Sequence, residues 1–140
     1  MSETLSKDAY PLGENSCDSI RGRSGKALSD LTLENVRAGT LSAADFCISS
    51  ETLHRQAALS AASGYEELAS NLRRAAELVN VPDEELLDIY DALRPGRKTF
   101  EALIDLANYM ITEYDAPETA QLIRDTADNY QASGRLLASE

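Results

Sequence analysis

From Thr32 onward the chain is punctuated as helices are. Apolar residues return every three or four positions, and each run is bracketed by residues that start or stop a helix. The pattern is plainest over 65–79, where Tyr65, Leu68, Ala69, Leu72, Ala75, Ala76 and Val79 share one helical face and Glu66, Glu67, Arg73, Arg74 and Glu77 lie between them. No run of strand length alternates with a period of two, so the fold class is all-α.

The other helices follow from the same signals. Thr32 caps a short helix through Leu33 and Val36 that Gly39 stops, and Ser42 to Asp45 has the spacing of a single capped turn before Ile48. Ser49 starts a longer helix with Leu53, Ala57 and Ala61 on one face, ended by Gly64. Pro82 is placed as the first residue of the next, with Asp83, Glu84 and Glu85 at the positive end of its dipole and Leu86, Ile89, Tyr90 and Leu93 inward. Thr99 caps a helix with a wide stripe of Phe100, Leu103, Ile104, Ala107, Met110, Ile111 and Tyr114, and Pro117 opens a last one through Ala120, Ile123, Ala127 and Tyr130. Gly134 releases a tail, 135–140.

Residues 1–31 differ. They hold Gly13, Gly22 and Gly25, Pro11 and several serines, and no helical period survives counting. This segment reads as an extended amino-terminal arm, with Tyr10, Pro11 and Leu12 as an apolar tripeptide and Leu28 and Leu31 flanking a turn. It precedes one helical domain, 32–134.

Composition limits what such a domain does. Thirteen basic against twenty-four acidic residues give a net charge of −11, which opposes attraction to phosphate backbones and anionic lipid, so nucleic acid and membrane are excluded as partners. No stretch nears ~18 apolar residues and the start lacks the layout of a signal peptide, which points to the cytosol. Cys17 and Cys47 lack CxxC spacing and read as reduced thiols, Cys47 as a small buried apolar residue. The core is aliphatic and alanine-rich without tryptophan, and alanine buries little area, so the domain's own stability is modest and a stabilising partner fits.

Chemistry is hard to find. His54 is the lone histidine, in mid-helix, and a triad or metal site needs more. Arg23-Ser24-Gly25-Lys26-Ala27 lacks the upstream glycine spacing and following hydroxyl of a phosphate loop, and GxGxxG, HExxH and GxSxG are missing. The carboxylates Asp83, Glu84 and Glu85 are explained by helix-end stabilisation. Catalytic, cofactor and metal residues are therefore all expected to be none. One local feature stands out, the corner formed by Arg94, Arg97 and Lys98 around Pro95-Gly96; it reads either as cations at a helix end or as a contact for an acidic patch on another subunit.

Several separate motifs, in order, carry a resemblance. They are Tyr10-Pro11-Leu12; Gly25-Lys26 with Leu28; Asp30-Leu31-Thr32-Leu33-Glu34-Asn35-Val36; Glu51-Thr52-Leu53 with Gln56-Ala57; Arg74-Ala75-Ala76-Glu77-Leu78; Val81-Pro82-Asp83; and Ile89-Tyr90 through Ala92-Leu93-Arg94-Pro95. From about Tyr10 to about Tyr130 the chain resembles the small (gamma) subunit of the adenosylcobalamin-dependent diol and glycerol dehydratases. Asp91 and Gly96 depart from the family's usual asparagine and aromatic residue.

The resemblance implies a heterohexamer with two copies each of large, medium and small subunits, which converts 1,2-propanediol or glycerol to the aldehyde by radical chemistry. It implies that the large subunit binds substrate, that adenosylcobalamin lies between large and medium subunits, and that the small subunit packs on the large one. A bacterial microcompartment is then an alternative to the open cytosol. The short segment before Tyr10 favours a glycerol-dehydratase-like subunit. The expected contact residues are Tyr10, Pro11, Leu12, Leu28, Leu31, Tyr90, Arg94 and Arg97, with the arm ordered only on its partner. A competing reading is a free-standing helical adaptor that grips a partner helix through Phe100, Ile104 and Ile111.

Overall fold

A computed structural model describes residues 7–138; the first six residues of the arm and the last two of the tail lie outside it. The chain divides into two compact units, 1–79 and 80–140. Among the described residues the elements are helical, apart from a single isolated bridge between Arg21 and Ala27.

The first unit contains α1 (Leu12–Asn15), α2 (Leu33–Arg37), α3 (Ser50–Ala62) and α4 (Glu66–Leu78), with single 3-10 turns at Lys7–Ala9, Cys17–Ser19, Leu28–Asp30 and Ala43–Phe46. Thr32 and Ser49 cap α2 and α3 by accepting from the N–H groups of Asn35 and Thr52. α3 and α4 pack together as a hairpin around Gly64. Leu53, Ala57 and Leu59 are buried on α3, and Ala69 and Ala76 on α4. Small residues there permit close approach, as the alanine pattern leads one to expect.

The second unit contains α5 (Asp83–Ala92), α6 (Phe100–Tyr114) and α7 (Pro117–Ser133). Its core is formed by Leu103, Ala107 and Met110 of α6 and Ala120, Ile123 and Ala127 of α7, all essentially sealed from solvent. Pro82 does not open α5 from within. Its ψ of 143° keeps it outside as the cap, and its carbonyl accepts the first helical bond from the Leu86 N–H at 2.9 Å. α6 ends where Asp115 adopts the left-handed φ of 49°, a conformation more usual for glycine.

Three expectations change. The arm is not extended along its described length: Tyr10-Pro11 is cis, short turns follow, and the loop 21–27 folds back on residues 45–49 of its own chain. The bonds that do this are long-range, so periodicity could not report them. Cys47 is exposed rather than buried: its carbonyl accepts from the Arg23 N–H at 3.1 Å, while its thiol stays at the surface, 3.6 Å from the Ala43 carbonyl. The tail is not released at Gly134, since the Gly96 N–H donates to the Arg135 carbonyl at 2.7 Å and the Leu137 N–H to that of Lys98 at 2.9 Å.

Candidate subunit interface

The arm is held by a clasp whose centre is Asp45, only 3% exposed. Its carboxylate accepts from the Ser42 N–H at 2.5 Å and the Ser42 hydroxyl at 3.0 Å, and pairs with Lys26 Nζ at 3.3 Å. The same ammonium donates to the Thr40 carbonyl. A hydrogen bond from the Ser24 side chain, followed by that from the Ser42 backbone, holds the Asp45 carboxyl far below the usual carboxylate range, although burial pushes the other way. The loop that imitates a phosphate loop is thus structural, its lysine spent on Asp45.

Other bonds extend the clasp. Ser49 Oγ donates to the Arg21 carbonyl at 3.1 Å, and Arg55 reaches the Ser19 carbonyl and hydroxyl, both at 3.1 Å. Gly22 lies so near residue 45 that a β-carbon on it would stand 2.8 Å from the Asp45 carbonyl oxygen. Glycine is required there by close approach, since its φ is unexceptional.

These bonds leave two apolar grooves open on the first unit. One is lined by Tyr10, Leu12, Leu59, Tyr65, Leu68 and Leu72 among others, and the second by Leu12, Ile20, Leu28, Leu31, Phe46 and Ile48. Tyr10 is 72% exposed, Tyr65 65% and Phe46 59%, while Leu12 is buried between the grooves and Leu28 and Leu31 are half-buried. The structure therefore brings Tyr10, Leu12, Leu28 and Leu31 together, with exposed Pro11 beside them. Tyr65, Leu68, Phe46 and Ile48 were not anticipated; a helical stripe signals that a residue is apolar but not whether its own chain covers it.

Tyr90, Arg94 and Arg97 are exposed on the second unit. The corner they form is less positive than its sequence implies, because Asp91 Oδ1 lies 3.3 Å from Arg94 and 3.5 Å from Arg97. In the same unit the Tyr114 hydroxyl donates to Glu85 at 2.5 Å, with the Tyr109 ring edge-on to that of Tyr114 at 6.0 Å. Hydrogen bonds from Tyr114 and then Tyr109 lower the Glu85 carboxyl, and the bond to Glu85 raises both phenols. Tyr130 Oη donates to the Leu93 carbonyl at 2.8 Å and ties α7 to the end of α5.

Chemically, the grooves offer open apolar surface, and the polar groups of the clasp are taken up by one another. His54 lies exposed on α3, and no group of three or more metal-ligating side chains converges among the described residues. No helix among them is long and apolar enough to cross a membrane.

The model of the dehydratase small subunit family matches residues 5–137. The chain is 40% identical over 121 residues to the propanediol dehydratase small subunit of Salmonella typhimurium, an alignment that covers 86% of this chain and 70% of that protein. It is equally similar, 40% over 121 residues with the same coverage, to the propanediol dehydratase small subunit of Citrobacter freundii.

Proposed function

The chain belongs to the dehydratase small-subunit family, and from that premise we propose that it is the non-catalytic small subunit of a diol dehydratase that acts on 1,2-propanediol. The observation that carries this is the family match over 5–137, which takes in the arm as well as the helices. The names of both relatives support propanediol over glycerol as the substrate.

The chain packs on a large catalytic subunit and stabilises it, within a heterohexamer holding two copies each of large, medium and small subunits. The complex works in the cytosol or inside a bacterial microcompartment. The contact residues come from Tyr10, Pro11, Leu12, Leu28 and Leu31 in the first unit and Tyr90, Arg94 and Arg97 in the second.

Adenosylcobalamin supplies the radical when bound in such complexes. The described residues offer it no cradle: the one imidazole, His54, is exposed in mid-helix, and no group of metal-ligating side chains converges on it. The coenzyme is held by the large and medium subunits, and no step of the reaction runs through this chain. Its own work is to present a shaped, water-excluding surface.

The adaptor reading draws little support from α6. Leu103, Ala107 and Met110 are spent inside the second unit, Phe100 and Ile104 are half-buried, and only Ile111 of the proposed grip is exposed.

Co-expression with large and medium subunits, purification through a tag on this chain, and assay of coenzyme-dependent aldehyde formation from propanediol and glycerol test the proposal. Recovery of an active complex that prefers propanediol is expected. A chain that runs alone and never recruits the others returns the adaptor reading.

A further inference from the structure

The two grooves of the first unit share Leu12, Gly13 and Gln56, so they form one strip running from Tyr65 and Leu68 to Phe46 and Ile48. The chain carries twenty-four acidic residues, yet among the described residues the only carboxylate lining this strip is Asp45, already neutralised by Lys26. The one other charged residue lining it is Arg21. By contrast, the groove on the second unit is lined by Glu85, Asp88 and Asp105. Charge is thus kept off one apolar surface and left on another, the arrangement expected where water must be excluded by a partner.

We propose that this strip is the surface that the large dehydratase subunit covers, with an apolar ridge seated in it and a carboxylate of that subunit facing Arg21. The proposal rests on the small-subunit reading above and assigns the contact to a surface. A second copy of this chain is the weaker occupant, because two chains of net charge −11 repel as they approach. The strip is also preformed. Lys26–Asp45, Ser49–Arg21 and Arg55–Ser19 fix its walls in the free chain, so docking orders few residues and loses little affinity to entropy.

The test uses the three-subunit complex, with this chain tagged and Leu68→Asp and Phe46→Asp introduced one at a time. Both positions are at least half exposed, so the free chain tolerates a charge there; Tyr65→Glu serves should either variant fail to fold by circular dichroism. Leu87→Asp, on an exposed apolar residue of the second unit, is the control. The strip variants should recover at least about tenfold less large subunit at unchanged helicity, because a carboxylate would be buried unpaired, and Leu87→Asp should recover it normally. Normal recovery by the strip variants overturns the proposal, and if Tyr90→Asp then loses the large subunit the contact belongs to the second unit instead. A free chain that sediments as a dimer, dissociated by Leu68→Asp without effect on large-subunit recovery, also overturns it and gives the strip to a second copy. If the wild-type chain recovers no large subunit at all, the small-subunit reading falls, and this proposal with it.

Discussion

Replacing Gly22 with alanine tests the clasp by adding a single methyl group. The new β-carbon would stand 2.8 Å from the Asp45 carbonyl oxygen, about 0.6 Å inside the 3.4 Å at which ordinary contact begins. A flexible side chain could swing away, but here the obstacle is backbone. Moving it outward drags the carboxylate that holds Lys26 and strains the Arg23 N–H bond to the Cys47 carbonyl at 3.1 Å. Overpacking against a fixed neighbour costs about 1–3 kcal/mol. In a unit of this size about 2 kcal/mol lowers Tm by roughly 8–16 °C. The internal control is Gly13→Ala: its β-carbon would meet Leu28 Cδ2 at 3.9 Å, ordinary contact, and alanine favours α1 by roughly 0.5–1 kcal/mol. Thermal unfolding of the isolated chain followed by circular dichroism reads both. A Gly22→Ala protein melting within about 2 °C of wild type would refute the close-approach argument.

Three further outcomes follow from the polar contacts. The folded pKa of Asp45 lies below its unfolded value, so the stability it contributes is complete above about pH 4 and is lost as the pH falls toward the folded pKa; urea unfolding between pH 2 and 7 should show an acid limb that flattens in Asp45→Asn, and an unchanged limb would remove Asp45 from this role. Tyr114→Phe deletes the strongest bond holding down the Glu85 carboxyl, so NMR titration should find the Glu85 pKa moved up, and an unmoved midpoint would contradict the assignment. Tyr130→Phe removes the bond to the Leu93 carbonyl and should cost roughly 0.5–1.5 kcal/mol by chemical denaturation; no change would mean that water replaces the contact freely.

What could be read from the sequence was local. Thr32, Ser49 and Thr99 cap the helices they were expected to cap, because a hydroxyl and the N–H three residues on are fixed by the chain itself. Pro117 and Gly134 bracket α7 for the same reason, while Pro82 was displaced by one residue, within the usual uncertainty of a helix start. The arm was opaque because its partners are remote: Lys26 finds Asp45 nineteen residues on, Arg21 finds Ser49 after twenty-eight, and Arg55 finds Ser19 after thirty-six. Such contacts leave no period. Gly22 likewise looks like any turn glycine until Asp45 is seen beside it. Among the interface candidates, the arm residues were legible as apolar outliers in a polar segment, whereas Tyr65 and Leu68 were hidden within a helical stripe that accounted for them as core.

The distribution of charge bears on how a subunit without chemistry can matter to an enzyme. Eight basic residues face eleven acidic ones in the first unit, and five face thirteen in the second. The second unit therefore carries most of the negative charge, which favours solubility and discourages self-association. The first unit carries the open apolar strip and the clasp that shapes it. Burial of polar groups without partners would make that clasp a weakness, but no buried side-chain nitrogen or oxygen among the described residues lacks a hydrogen bond. A satisfied polar network beside an open apolar surface needs no partner to complete its hydrogen bonds, and the surface still gains by being covered. If the strip is covered as proposed, the contribution of such a subunit is the area it removes from water on its partner, and variants that leave its helices intact but charge the strip should act on assembly before they act on turnover.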